Sequence, residues 1–128
     1  MISKIQIVMI AMVPLAVAGA TSMQPVALEK APKKAGVPFS KVAALLKKEC
    51  AQCHTGARAA GKVDVTSYAT LMKGGEHGPV IVASHPEKSA LLAYIDGSKK
   101  PQMPMGKPAL SKADVALVKT WIAGGAKK

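Results

Sequence analysis

From Phe39 onward, apolar residues recur three and four positions apart, the period of a helix with one buried face. Val42, Leu45 and Leu46 form the first such set, with Ser40 as candidate cap, Phe39 as a staple before it and Cys50 at its end. Thr66 is a candidate cap for a short helix through Tyr68 and Leu71 that stops at Gly74-Gly75. Pro86 suits the first turn of a third, with Leu91, Leu92 and Ile95 as its apolar face and Gly97 just beyond it. Ser111-Lys112-Ala113-Asp114 resembles a capping box, with Asp where Glu is usual. It opens a helix carrying Val115, Val118, Trp121 and Ile122 and closing at Gly124-Gly125. No segment alternates as a strand does, and Pro79 to Ala83 is ambiguous. The expected fold is all-α: short helices and long connections. The connections 51–65, 74–85 and 97–110 are long for so small a domain, and helices this short do not stand alone in water. Something must organise them.

The segment before Phe39 reads differently. Met1 to Ala20 has the features of a secretory signal: Lys4, an apolar run from Ile5 to Ala18, and the small-x-small site Ala18-Gly19-Ala20. The run is short for a membrane span and holds Pro14. Residues 21–38, with Pro25, Pro32, Pro38, Lys30, Lys33 and Lys34, read as a flexible linker. The expected organisation is therefore a signal peptide at 1–20, the linker, and one domain at 39–128. The mature chain would carry no membrane span, and its expected location is the bacterial periplasm.

The 128 residues hold 18 Lys plus Arg against 7 Asp plus Glu, a formal charge of +11, which becomes +10 without Lys4. A nucleic-acid partner is not expected: the chain reads as exported and offers no recognition motif or basic-aromatic platform. Only four residues are aromatic: Phe39, Tyr68, Tyr94 and Trp121. Ala, Val and Leu would fill a core weakly unless another body took up volume.

One pentapeptide supplies that body. Cys50-Ala51-Gln52-Cys53-His54 has the spacing of a c-type haem attachment site. Two thiols three positions apart can reach the two vinyl groups of one porphyrin, and the adjacent imidazole then stands beneath the iron. Three other readings use the same residues. A disulfide between Cys50 and Cys53 suits an exported protein. A thioredoxin-type pair would need a βαβ context, which is missing. A zinc site would draw on His77 and His85 as well. Both cysteines of the chain lie inside the motif, which favours one covalently attached haem c with His54 as proximal iron ligand.

The sixth ligand is expected in the proline-stiffened loop Lys99-Lys100-Pro101-Gln102-Met103-Pro104-Met105-Gly106. A thioether there is a soft iron donor, and His/Met ligation raises the reduction potential. Met103 is the leading candidate and Met105 the alternative; His77 and His85 are the bis-His candidates. A closed His/Met site favours outer-sphere electron transfer, and no general base, nucleophile or second metal cluster accompanies the motif. The expected function is a one-electron carrier, a monomer rather than an enzyme. The alternatives are a haem-bearing subunit of a larger dehydrogenase complex, and a haem enzyme or sensor with a displaceable ligand. A basic surface would steer the carrier to acidic docking surfaces on redox partners, with Lys47, Lys48, Lys99, Lys100 and Lys107 as candidates.

Residues 45–126 resemble class I c-type cytochromes, and more narrowly the planctomycete-type cytochrome c domain. The resemblance rests on Cys50-Ala51-Gln52-Cys53-His54, Val63-Asp64-Val65-Thr66-Ser67-Tyr68 and Leu71-Met72-Lys73-Gly74-Gly75. It continues through Gly78-Pro79, Pro86-Glu87-Lys88-Ser89, Met103-Pro104 and Trp121 to Ala126. It implies a small fold wrapped around one haem, with the distal ligand at the Met-Pro step, here Met103. Met105 stands where that family more often has proline or a small residue, and Ser84-His85 where Gly is common.

Overall fold

The computed structural model describes residues 36–128; the signal peptide expected at 1–20 and most of the linker expected at 21–38 lie outside them. Four α-helices follow one another: α1 (Phe39–Glu49), α2 (Tyr68–Lys73), α3 (Ala90–Ile95) and α4 (Lys112–Ala123). Short 3₁₀ turns at Gly56–Arg58, Ala60–Lys62 and Pro86–Lys88 stiffen the connections. Among the described residues there is no strand, only an isolated bridge between Gly75 and Gly78. The all-α expectation holds. No described helix is long and apolar enough to cross a membrane.

The predicted apolar faces meet in one core. Val42 and Leu46 of α1, Leu71 of α2, Leu92 and Ile95 of α3, and Val118, Trp121 and Ile122 of α4 are all buried together. Phe39 packs edge-on against Tyr68 at 5.2 Å between ring centroids and tilted against Trp121 at 5.5 Å. Three of the four aromatics are thus gathered in one cluster. The chain's end folds back over it: Tyr68 Oη donates to Ala126 O, Trp121 Nε1 donates to Lys127 O, and Ala126 is fully buried.

Several helix starts differ from the sequence reading. Helix α1 begins at Phe39 itself, with Pro38 at the cap position and no side-chain cap, so Ser40 does not cap and Phe39 is no staple outside the helix. Contact with Tyr68 and Trp121 draws Phe39 into the first turn. Thr66 does not cap α2, because its hydroxyl and amide both donate to Asp64 Oδ1, at 2.6 and 2.8 Å. Ser67 takes that position instead: it accepts from Thr70 N at 3.1 Å, while Thr70 Oγ1 accepts from Ser67 N at 3.2 Å.

The Pro86 helix is likewise split, into the turn Pro86–Lys88 and α3. The break falls at Ser89, whose buried Oγ bonds Val82 N at 2.9 Å and His85 O at 3.0 Å. Its backbone is extended there, and the helix must restart. Ser111 caps α4 as expected, accepting from Asp114 N at 3.1 Å. Gly97 lies just past α3 with φ +83°, as expected for a helix stop.

Candidate haem site

Helix α1 leads directly into Cys50, and the pentapeptide continues it as a compact turn. Cys50 N donates to Leu46 O at 2.8 Å, and Cys53 N and His54 N both donate to Cys50 O at 3.1 and 3.0 Å. The following loop clamps the turn, with Ala60 N donating to Cys53 O at 2.8 Å and Val65 N to His54 O at 3.0 Å. Beside this turn lies a cavity of about 500 Å³, a size typical of ligand sites. Cys50, Cys53, His54 and Met103 all line it.

The His54 ring is oriented by a backbone carbonyl: Nδ1 lies 3.1 Å from Val63 O. A carbonyl only accepts, so Nδ1 carries the proton and Nε2 keeps its lone pair for a metal. Both cysteines are free thiols, Cys50 half-buried and Cys53 exposed. Burial pushes the Cys50 thiol pKa up, Glu49 adds to this and Lys107 opposes it. The zinc alternative fails geometrically: among the described residues no three His, Cys, Asp or Glu side chains group as a metal site.

Apolar side chains of Val63, Val65, Val80, Leu91 and Ile95 make up much of the cavity wall, with Tyr94 the one aromatic. Tyr94 also holds Lys99, whose Nζ sits 5.0 Å from the ring centroid. The loop at Gly74–Gly78 closes one side. Glu76 N donates to Gly61 O at 2.9 Å, and a Cβ on Gly75 would overlap the Gly61 carbonyl and come within 2.6 Å of Val63 Cγ2. Glycine there lets two loops meet at the wall. Sequence reading took Gly74-Gly75 as a helix stop alone; the close approach is tertiary.

The two methionines part company. Met103 is partly buried against the core, and its amide donates to Tyr94 O at 2.9 Å, tying it to α3. Met105 also lines the cavity and an adjoining surface groove, but it is 64% exposed. His77 also lines the cavity, but it is exposed and pairs with Glu76 at 3.4 Å. His85 is not on the cavity and pairs with Glu87 at 2.9 Å. Of the five candidate docking lysines, Lys99 and Lys107 line the cavity and Lys47, Lys48 and Lys100 do not. Lys47 and Lys48 occupy the last turn of α1, where positive charge also suits the helix dipole.

Sequence reasoning missed Glu49, Val63, Leu91 and Tyr94 as parts of this site. Glu49, beside Cys50, could have been found from adjacency. Val63 acts through its carbonyl, for which side-chain patterns carry no signal.

Residues 50–105 match the family model described as Planctomycete cytochrome C. The matched stretch is similar to planctomycete-type cytochrome c domains. No curated protein and no solved structure matches it. The match suggests a haem-binding electron-transfer role, and haem c is the group such a domain implies. The donor set fits that group. One apolar cavity gathers two thiols, an imidazole whose Nε2 is left unprotonated, and the thioethers of Met103 and Met105.

Proposed function

We propose that the protein is an exported monohaem cytochrome c that carries single electrons between redox partners in the bacterial periplasm. Cys50 and Cys53 would hold haem c as thioethers, His54 Nε2 would be the proximal iron ligand and Met103 the distal one. The observation that carries this reading is that all four side chains line one cavity while Val63 O fixes the His54 tautomer. Bound haem c supplies a one-electron couple; the protein's residues supply the rest. Cys50 and Cys53 tether it, His54 and Met103 close the coordination sphere against added ligands, and the Val, Leu and Ile wall keeps water out. Lys99 and Lys107 give the rim of the cavity positive charge for an acidic docking surface. A monomer suffices, because one chain furnishes every ligand.

The test is to express the full chain with a c-type maturation system. The mature mass is expected to include one covalently bound haem, lost in Cys50→Ser/Cys53→Ser. The ferric near-infrared band of Met ligation is expected in wild type and Met105→Ala and absent in Met103→Ala, which should bind carbon monoxide and cyanide readily. A bare polypeptide mass would overturn the reading. Electron exchange with an acidic redox protein is expected to slow as salt is raised from 10 to 200 mM, because screening shortens the reach of the lysines from about 30 Å to about 7 Å.

A further inference from the structure

Residues 104–110 complete the loop that carries Met103; Leu110 packs against the core, and few polar contacts hold the stretch before it. The last backbone tie before them is Met103 N to Tyr94 O, and the next polar anchor is Ser111 at the start of α4. Among the described residues, one polar contact joins residues 104–110 to the rest of the protein: Lys107 Nζ lies 3.7 Å from Glu49 Oε2. Glu49 ends α1, immediately before Cys50, and its side chain is only 18% exposed. A carboxylate that enclosed needs a partner. Its other partner, Lys48 at 3.1 Å, is the neighbouring residue on the same helix and bridges nothing. Both Glu49 and Lys107 line the cavity. Their pair therefore joins, at the cavity wall, the end of the helix leading into the cysteines to the loop bearing the methionine.

We propose that the Glu49–Lys107 ion pair is a latch that holds the Met103 loop closed over the cavity. Glu49 and Lys107 are thus positioning residues that set how readily the Met103 thioether is displaced. This rests on the reading above that Met103 is the distal ligand. The latch acts through the loop and touches no reacting atom. Opening it leaves α1, α4 and the core-packed Leu110 in place and frees only residues 104–109, so ligand displacement should respond while global stability does not.

The experiment uses the ferric holoprotein, checked first by mass for covalent haem. Cyanide binding is expected to be about five- to tenfold faster in Lys107→Gln and in Glu49→Gln, and no faster again in the double variant, since both remove the same contact. Lys107→Arg should stay within about twofold of wild type, because it restores the pair, and Lys112→Gln should match wild type. Raising salt to 0.5 M should speed cyanide binding in wild type and not in Lys107→Gln. Amide exchange at residues 105–109 should quicken in Lys107→Gln while exchange in α4 is unchanged. Unchanged cyanide binding and exchange in Lys107→Gln, with haem attached, would overturn the latch alone. A holoprotein whose wild type lacks the Met–iron band would also overturn it. A protein without covalent haem would overturn the functional reading, and the latch with it.

Discussion

His54 would serve as a ligand through Nε2, because its other ring nitrogen is already committed. The bond from Nδ1 to Val63 O sets the tautomer without any help from another side chain, and every residue at position 63 carries that carbonyl. Ser89 shows the same economy in a different role. Its single hydroxyl serves Val82 N and His85 O from a site only 1% exposed. Ser89→Ala leaves the partly buried Val82 N without its partner, while His85 O keeps the bond from Lys88 N, and should cost about 1 kcal/mol in urea unfolding. Asp64 and Asp96 are exposed carboxylates held below their ordinary pKa, chiefly by hydrogen bonds from Thr66 and Ser98. A lowered pKa means the unfolded chain binds more protons in the acid range. These groups therefore stabilise the fold above about pH 4, and that contribution fades as pH falls through their folded values. Asp64→Asn and Asp96→Asn should each flatten the fall of stability with acid, measured as urea midpoints between pH 5 and pH 2.

The helices show why caps are harder to read than faces. Helix α2 has six residues, too few to persist without its ends being satisfied. Thr66 and Ser67 were both chemically able to cap it, and Asp64 settled the choice by engaging the Thr66 hydroxyl. Ser67→Ala should destabilise by about 1 kcal/mol, and Thr66→Ala should leave the α2 cap itself intact, both checked by denaturation. Helix α4 is twice as long and its cap, Ser111, was legible because no competing acceptor precedes it. At the end of α2, Gly74 has φ +80° and ψ −157°, a conformation that only glycine adopts freely. A Cβ there would also overlap the Gly78 carbonyl. Gly74→Ala should cost at least about 1–3 kcal/mol for the backbone alone, and it should disturb the wall of the cavity.

At the scale of the whole molecule, the scarcity of aromatics and the cavity have one cause. Phe39, Tyr68 and Trp121 are spent on a cluster beneath the folded-back C-terminus, and Tyr94 alone lines the cavity. The connections 51–65, 74–85 and 97–110 each contribute to that cavity's wall, which explains loops that looked too long for the domain. A group bound only by the folded state stabilises it. Cys50→Ser/Cys53→Ser, unable to attach haem, should melt well below the holoprotein and show faster amide exchange throughout 51–65 and 97–110. The amino-acid sequence by itself determined the helical class, the buried faces and the haem pentapeptide, because these depend on period, propensity and spacing within a few residues. Tertiary structure decided which hydroxyl caps α2, where the Pro86 helix breaks, that Met103 packs against the core while Met105 is mostly exposed, and that Glu49 meets Lys107 at the cavity wall. Each of those depends on what another segment brings to within a few ångströms, and no local pattern records that.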